Sequence, residues 1–175
     1  MVDHHVFTTK SAKETQNLGK TIADSFLKEK ESGHFLDRAL ILCLYGELGS
    51  GKTTFTQGFA KGLGISTRLL SPSFIIVRRY SVQNRNNFFY HIDLYRIKNV
   101  SDLDGLGLRE IFSDPSAIIC IEWAQRLGNF LPKQRTDIHF LMISNDERKI
   151  IVSEHSENSE NQKVGKLRIP DNRNF

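Results

Sequence analysis

The fold is decided by residues 39–64, which read ALILCLYGELGSGKTTFTQGFAKGLG. The first part, Ala39–Tyr45, is a continuous apolar run, which is typical of a strand covered on both faces. From Lys52 to about Leu63 the residues predict a helix, and Gly64 stands where glycine commonly ends one. The stretch therefore predicts a strand, a glycine-rich loop and a helix, and it places the chain in the α/β class.

The loop, Gly46–Thr53, matches the phosphate-loop pattern G-x-x-x-x-G-K-[ST] at every fixed position. Glycine permits backbone turns that bring amide groups close to a phosphate, and the start of the following helix directs its free N–H groups and positive dipole end at the same anion. Lys52 supplies a charge for the β- and γ-phosphates, and the Thr53 hydroxyl can ligate Mg²⁺. We expect the remaining contacts to a nucleotide from Gly46, Glu47, Leu48, Gly49, Ser50 and Gly51.

Two acidic residues follow apolar strands further along the chain. Glu122 comes directly after Ala117–Ile121, and Asp93 directly after Phe88–Ile92. In α/β sheets the ligand lies beyond the carboxyl ends of the strands, and a phosphate loop needs a carboxylate for Mg²⁺ and a group that orients the attacking water. We expect Glu122 to join Thr53 at the metal and Asp93 to order the water or the metal's own waters. The reverse assignment also fits the sequence, as does a plain role for either carboxylate in helix capping or ion pairing.

Three further positions allow two interpretations each. Ser73, in the segment SPSF at 71–74, stands where a switch segment would follow the loop helix, and its hydroxyl can sense a γ-phosphate. An ordinary proline turn explains that segment equally well. Trp123 either packs in the core or presents a surface next to the nucleotide. His91 lies between a tyrosine and an isoleucine, and we expect it to be structural rather than catalytic.

Size and composition fit an ordinary globular protein. The chain has 175 residues and a net charge of +4, which mildly favours an anionic partner. No apolar run approaches the ~20 residues that span a bilayer, and residues 1–10 lack the apolar stretch of a signal peptide, so we expect a cytoplasmic protein without a membrane partner. We expect one phosphate-loop domain over residues 1–155 and a polar tail over 156–175, in which Val164–Ile169 could add an edge strand.

The rest of the pattern completes that domain. A helix is predicted over 11–30, where Ser11 and Glu14 have capping-box spacing. The two cysteines, Cys43 and Cys120, lie in apolar runs, and we expect both to pack in the core. Two pairs of strands are predicted, at 74–80 with 88–92 and at 137–143 with 149–154.

Four motifs, in this order and spacing, carry a resemblance to a known family. They read GELGSGKTTFTQGFAKGLG from Gly46, SPSF from Ser71, HIDLYR from His91 and IEWAQRLGNFLP from Ile121. From the first helix, at Ser11, to about residue 153, the chain resembles the TsaE (YjeE) family. The resemblance implies a compact phosphate-loop fold with a mixed β-sheet flanked by helices.

The resemblance also implies a function. Members of the family are ATPases that serve the synthesis of threonylcarbamoyladenosine, the modified adenosine beside the anticodon of tRNAs that read A-starting codons. They would act with two partner proteins, TsaB and TsaD, which transfer the threonylcarbamoyl group, and they would meet tRNA indirectly through that complex. Direct tRNA binding through the net charge of +4 stays open as an alternative. ATP hydrolysis would reset the complex between turnovers.

The family motifs also assign roles to individual residues. The helix start near Ser11–Thr15 would approach the adenine. The family has SPT where this chain has SPS, so Ser73 keeps the hydroxyl but lacks the methyl group. The positions that match functional residues of the family are Lys52, Thr53 and Thr54 in the loop, Asp93 in the DLYR motif, and Glu122 and Trp123 in the EW motif.

Other phosphate-loop functions fit less of the sequence. A metabolite kinase generally needs an arginine-bearing lid, and the pair Arg78 and Arg79 lies on a predicted strand. A GTPase would carry an Asn-Lys-x-Asp segment, which the sequence lacks, so ATP is the expected nucleotide. A module that binds a nucleotide for regulation without hydrolysing it stays open. No arginine finger is visible, which predicts slow hydrolysis until a partner completes the site.

Overall fold

The computed structural model of the chain describes residues 4–32, 38–67, 69, 75–83, 85–155, 167 and 169. Its strands are β1 (His4–Thr9), β2 (Leu40–Tyr45), β3 (Val77–Ser81), β4 (Phe88–Asp93), β5 (Ala117–Glu122), β6 (Arg135–Met142) and β7 (Arg148–His155). Its helices are α1 (Ala12–Glu31), α2 (Lys52–Gly62) and α3 (Leu108–Ser113), with two 3-10 helices at Val100–Leu103 and Ala124–Phe130. None of the described helices is long and apolar enough to cross a membrane.

The described strands form one mixed sheet in the order β1-β7-β6-β2-β5-β4-β3. Strands β6, β2, β5 and β4 run parallel to one another. Strand β7 is antiparallel to β6, β1 to β7, and β3 to β4. The predicted fold class, an α/β phosphate-loop domain with a mixed sheet flanked by helices, is confirmed.

The parallel strands lie at the centre of the sheet because they are apolar on both faces. Every residue of β5 is buried, and so is every residue of β2 except the last, as expected of parallel strands covered on both sides. Helices α1 and α2 cover one face, around Phe59 and Cys120. Helix α3 and the second 3-10 helix cover the other face, around Cys43 and Leu127. The two cysteines are therefore buried on opposite faces of the sheet, which confirms their predicted place in the core.

Helices α1 and α2 pack closely because glycines face the backbone of the opposite helix. A Cβ atom on Gly58 would lie 1.9 Å from the carbonyl oxygen of Gln16, and one on Gly19 would lie 2.3 Å from that of Phe55. Only a residue without a side chain allows such an approach. The contact holds α2, and with it the end of the phosphate loop, against α1.

The start of α1 differs from the predicted capping box in one respect. The Ser11 hydroxyl accepts a hydrogen bond from the Glu14 amide at 3.1 Å, as predicted. The Glu14 carboxylate, however, accepts one from the amide of Lys10 rather than from Ser11. The carboxylate therefore stabilises the turn before the helix instead of closing the reciprocal pair.

Little of the predicted tail lies within the described residues. Leu167 is 4% exposed and packs against the core cluster of α1 and α2, and its amide donates a hydrogen bond to Glu154 Oε1 at 2.8 Å. The expected edge strand at Val164–Ile169 lies mostly outside the described residues. The division of the chain at residue 155 stays a prediction.

Candidate nucleotide-binding site

The predicted site residues meet at the carboxyl edge of the parallel strands. Strand β2 ends at the phosphate loop, while Asp93 and Glu122 end β4 and β5 and are direct neighbours in strand register. A cleft of 390 Å³ opens between the loop and these two ends. Its lining consists of Leu48, Gly49, Ser50, Gly51, Lys52, Thr53, Thr54, Asp93, Tyr95, Arg96, Glu122 and Trp123.

The loop presents backbone amides because its glycines take a path that other residues rarely follow. Gly46, Gly49 and Gly51 have φ angles of 147°, 77° and 107°, which lie in the region that favours glycine. Gly51 is also the N-cap of α2, and since it has no side chain it cannot accept the first helical amide hydrogens. These donors and the positive end of the helix dipole are left for an anion.

Lys52 is held in the loop by backbone carbonyl groups. Its Nζ donates hydrogen bonds to the oxygens of Gly46 and Glu47, at 2.7 Å and 2.8 Å, and lies 4.2 Å from the centre of the Trp123 ring. Burial lowers the pKa of the Lys52 ammonium, and the Glu122 carboxylate opposes this shift. The lysine charge is thus fixed at the cleft between the loop and an aromatic ring.

A chain of hydrogen bonds links the loop to the sheet. The Thr53 hydroxyl donates to Glu122 Oε2, and His91 Nε2 donates to Glu122 Oε1, each at 2.7 Å. His91 is 0% exposed and Glu122 is 2% exposed. The sequence predicted a structural role for His91 and missed its contact with Glu122. The available signal was its two-residue spacing from Asp93, which puts both residues on one face of β4.

Asp93 and Trp123 shape the wall of the cleft. Asp93 is 3% exposed, and its Oδ1 accepts a hydrogen bond from the Tyr95 amide at 2.9 Å. The Tyr95 ring packs against Trp123, with 5.1 Å between ring centres. Trp123 has a φ of 61°, in the left-handed region that bulky residues rarely adopt. It both packs against core residues and lines the cleft, so its two interpretations are compatible.

A smaller cavity of 110 Å³ adjoins the same loop. It shares Gly49, Gly51 and Thr54 with the cleft and is also lined by Ser11 and Thr15 at the start of α1. The adenine contact that the resemblance implies near Ser11–Thr15 stays a prediction, and this cavity is the place where it would occur. Ser73, with the whole segment 71–74, lies outside the described residues, so its switch role also stays a prediction.

The pair Thr53 and Glu122 fits a magnesium ion. Thr53 Oγ1 and Glu122 Oε2 are 2.7 Å apart, and adjacent oxygens around an octahedral Mg²⁺ with bonds of ~2.0–2.1 Å are about 3 Å apart. The described residues contain no cluster of three or more His, Cys, Asp or Glu that could hold a metal alone. Mg²⁺ is commonly bound in this way, by one or two protein oxygens together with substrate phosphates.

Comparison with known proteins identifies the family. The family model described as "Threonylcarbamoyl adenosine biosynthesis protein TsaE" matches residues 9–150. The chain belongs to the TsaE family. TsaE proteins take part in the biosynthesis of threonylcarbamoyladenosine in tRNA, and the resemblance seen in the four motifs is confirmed.

Two TsaE relatives and one solved structure show how far the similarity extends. The tRNA threonylcarbamoyladenosine biosynthesis protein TsaE of Bacillus subtilis is 41% identical over 110 residues, which cover 63% of this chain and 66% of that protein. The protein of the same name from Rickettsia conorii is 32% identical over 155 residues, 87% of this chain and 81% of the relative. The crystal structure of Bacillus subtilis YdiB matches with a TM-score of 0.68 at 33% identity, over 89% of this chain and 88% of that one. The alignment to the first relative thus spans just under two thirds of its length.

Proposed function

We propose that this TsaE-family chain binds ATP with Mg²⁺, hydrolyses it, and so drives threonylcarbamoyladenosine synthesis together with TsaB-type and TsaD-type partners. The observation that carries the proposal is the 2.7 Å contact between Thr53 of the loop and Glu122 at the end of β5. It joins a phosphate loop to a carboxylate on a neighbouring strand, the combination that phosphate-loop ATPases use at their metal. The chain would meet tRNA through the complex, in the cytoplasm and without a membrane.

In the proposed reaction, water attacks the γ-phosphorus and the bond to the ADP oxygen breaks, which yields ADP and phosphate. The loop amides and Lys52 would hold the β- and γ-phosphates. Thr53 and Glu122 would hold Mg²⁺, which neutralises charge on the phosphate oxygens. Asp93 would orient the water, since its carboxylate is buried at the cleft and held by the Tyr95 amide at 2.9 Å. The proposed catalytic residues are therefore Lys52, Asp93 and Glu122.

We expect hydrolysis by the chain alone to be slow. Among the described residues that line the cleft, Arg96 is the sole arginine, and its side chain is exposed to solvent. A partner that covers the cleft would exclude bulk solvent, apart from the attacking water, and would add positive charge against the transferred phosphoryl group. The site would then be complete only in the complex.

Steady-state ATP hydrolysis with and without the TsaB–TsaD pair tests the proposal. We expect strong stimulation by the pair and a loss of at least about 100-fold in Lys52→Ala, because a charge on the reacting phosphates is removed. Lys61→Ala removes an exposed lysine from the same helix, and we expect it to keep the turnover of the unaltered chain.

Three outcomes would contradict parts of the proposal. Brisk turnover that ignores the pair would exclude the partner role. Phosphate transfer to a small hydroxyl compound would indicate a metabolite kinase. Equal competition by GTP would exclude the expected preference for ATP.

A further inference from the structure

The buried histidine of β4 has a contact that the proposed reaction does not yet use. His91 is 0% exposed and lies on the strand next to β5, which carries Glu122. Its Nε2 is 2.7 Å from Glu122 Oε1. A carboxylate has no proton to donate, so in this contact the N–H at Nε2 of His91 donates and Glu122 Oε1 accepts.

The other ring nitrogen shows which form of the ring fits this place. Nδ1 of His91 has no hydrogen-bond partner among the described residues. A neutral imidazole carries one N–H, and the facing carboxylate assigns that proton to Nε2. Nδ1 is then a bare acceptor, while a second N–H there would be a buried donor without an acceptor, which is costly. A residue that merely filled the core would need neither nitrogen.

The contact determines how Glu122 faces the loop. Its two oxygens have one donor each, His91 at Oε1 and the Thr53 hydroxyl at Oε2. Because each oxygen has its own donor, the two bonds together restrain the plane of the carboxylate, with Oε2 directed to Thr53. The Thr53 proton is in turn used by Glu122, which leaves the oxygen lone pairs of Thr53 for a cation.

We propose that His91 is a positioning residue that holds Glu122 in the orientation needed for the Mg²⁺-bound nucleotide. The inference rests on the proposed function only in so far as the site binds a nucleotide with Mg²⁺, and it does not depend on hydrolysis or on partners. Removing a hydrogen bond that orients a metal ligand typically lowers metal affinity by about 10–100-fold.

Three variants separate the hydrogen bond from simple packing. His91→Phe keeps a flat ring and removes the donor. His91→Gln can place an N–H group at a reach similar to that of Nε2. Phe89→Leu alters another fully buried side chain of the same strand and is the matched control, because Phe89 belongs to the core cluster rather than to the cleft.

The measurement is ADP affinity in Mg²⁺ and in EDTA, followed by the fluorescence of Trp123, the only tryptophan of the chain. We expect His91→Phe to lose about 10-fold or more of the affinity gained from Mg²⁺ and to keep its affinity in EDTA within about twofold. His91→Gln should restore part of the gain, and Phe89→Leu should keep all of it. In a Glu122→Gln background, His91→Phe should add no further loss, because His91 is proposed to act through the Glu122 carboxylate and that background no longer has it.

Several results would overturn the inference. They are an unchanged Mg²⁺ gain in His91→Phe, an equal loss in Phe89→Leu, and a full additional loss in the Glu122→Gln background. If His91→Phe does not fold, His91→Asn takes its place, since its amide is polar but too short to reach Glu122. An unaltered chain that binds Mg²⁺–ADP yet shows no partner-stimulated hydrolysis would contradict the proposed function alone, whereas an unaltered chain without any Mg²⁺ gain would contradict the role of His91.

Discussion

Lys52 shows how a single residue is prepared for its ligand. An ammonium group has three N–H donors, and two of them are used by the carbonyl oxygens of Gly46 and Glu47. The third has only a long contact of 3.4 Å with the Ser50 hydroxyl. A phosphate oxygen can replace that weak contact at little cost, so the lysine can bind a nucleotide without leaving the loop.

The two carboxylates of the cleft should behave differently when each is replaced by its amide. Glu122 contacts Thr53, whereas Asp93 is held by the Tyr95 amide. We expect Glu122→Gln to lose most of the ADP affinity gained from Mg²⁺, and Asp93→Asn to keep it while partner-stimulated hydrolysis falls about 100-fold. Fluorescence titration and ATP turnover check the two effects. If Asp93→Asn abolishes the Mg²⁺ gain and Glu122→Gln does not, the two roles are exchanged.

The sequence predicts candidate residues better than it predicts their partners. Lys52 and Thr53 follow from a fixed pattern, and Glu122 follows from its place after an apolar strand. The contact of His91 with Glu122 depends on the register between β4 and β5, which local spacing does not determine. The left-handed backbone of Trp123 could not be predicted either, because no sequence pattern indicates that a bulky residue adopts this conformation.

At the scale of elements, the tight contact between α1 and α2 gives a test of the fold itself. A methyl group on Gly58 would meet the backbone oxygen of Gln16 at 1.9 Å, so the two helices would have to move apart to admit it. We expect Gly58→Ala to lower the free energy of unfolding by about 2–3 kcal/mol, even though alanine favours a helix by about 1 kcal/mol over glycine.

Thermal unfolding measures this loss. In a domain of this size, 2–3 kcal/mol lowers Tm by about 5–10 °C. Asn17→Ala, at an exposed position of α1 next to Gln16, is the control and should leave Tm unchanged or slightly raised. A Gly58→Ala variant as stable as the unaltered chain would show that the two helices are not in close contact.

Elements with strong local patterns could be predicted, and those that depend on distant partners could not. Strands β2 and β5 are recognisable as apolar runs, and α1 as an amphipathic helix with an N-cap. Strand β1 was not predicted, because only two of its six residues, Phe7 and Thr9, are buried. It exists through pairing with β7, in which His4 lies opposite Ser153.

At the scale of the whole molecule, the two cysteines report on how tightly the helices pack on each face of the sheet. Cys43 and Cys120 are 0% exposed on opposite faces of the sheet. Burial raises the pKa of both thiols well above the ordinary value, so that few thiolate groups exist to react. A thiol reagent can reach either cysteine only when the helices that cover that face of the sheet move away from it.

Thiol labelling should therefore follow unfolding rather than surface chemistry. We expect both cysteines of the native protein to react at least about a thousandfold more slowly than in denaturant, since an opening free energy of about 5 kcal/mol must first be supplied. A chromogenic thiol reagent then measures each face of the sheet separately. In Cys43→Ala the remaining Cys120 reports on the face covered by α1 and α2. In Cys120→Ala the remaining Cys43 reports on the face covered by α3 and the second 3-10 helix. Rapid labelling of one variant under native conditions would show that the corresponding layer is loosely packed.

The fold class was predictable from the strand, loop and helix at 39–64 together with the family resemblance, but the order of the strands was not. Parallel pairing joins segments far apart in sequence, and no local signal specifies which segments pair.

That order has a consequence for how the protein is made. Strand β2, which carries the phosphate loop, lies between β5 and β6, and both neighbours are synthesised much later than β2 itself. Until Met142 has been added at the end of β6, a nascent chain holds an apolar strand with at least one open edge. The segment that defines the site is thus completed only after β6 has been synthesised, and chaperones on the ribosome would find their target in the apolar strand β2.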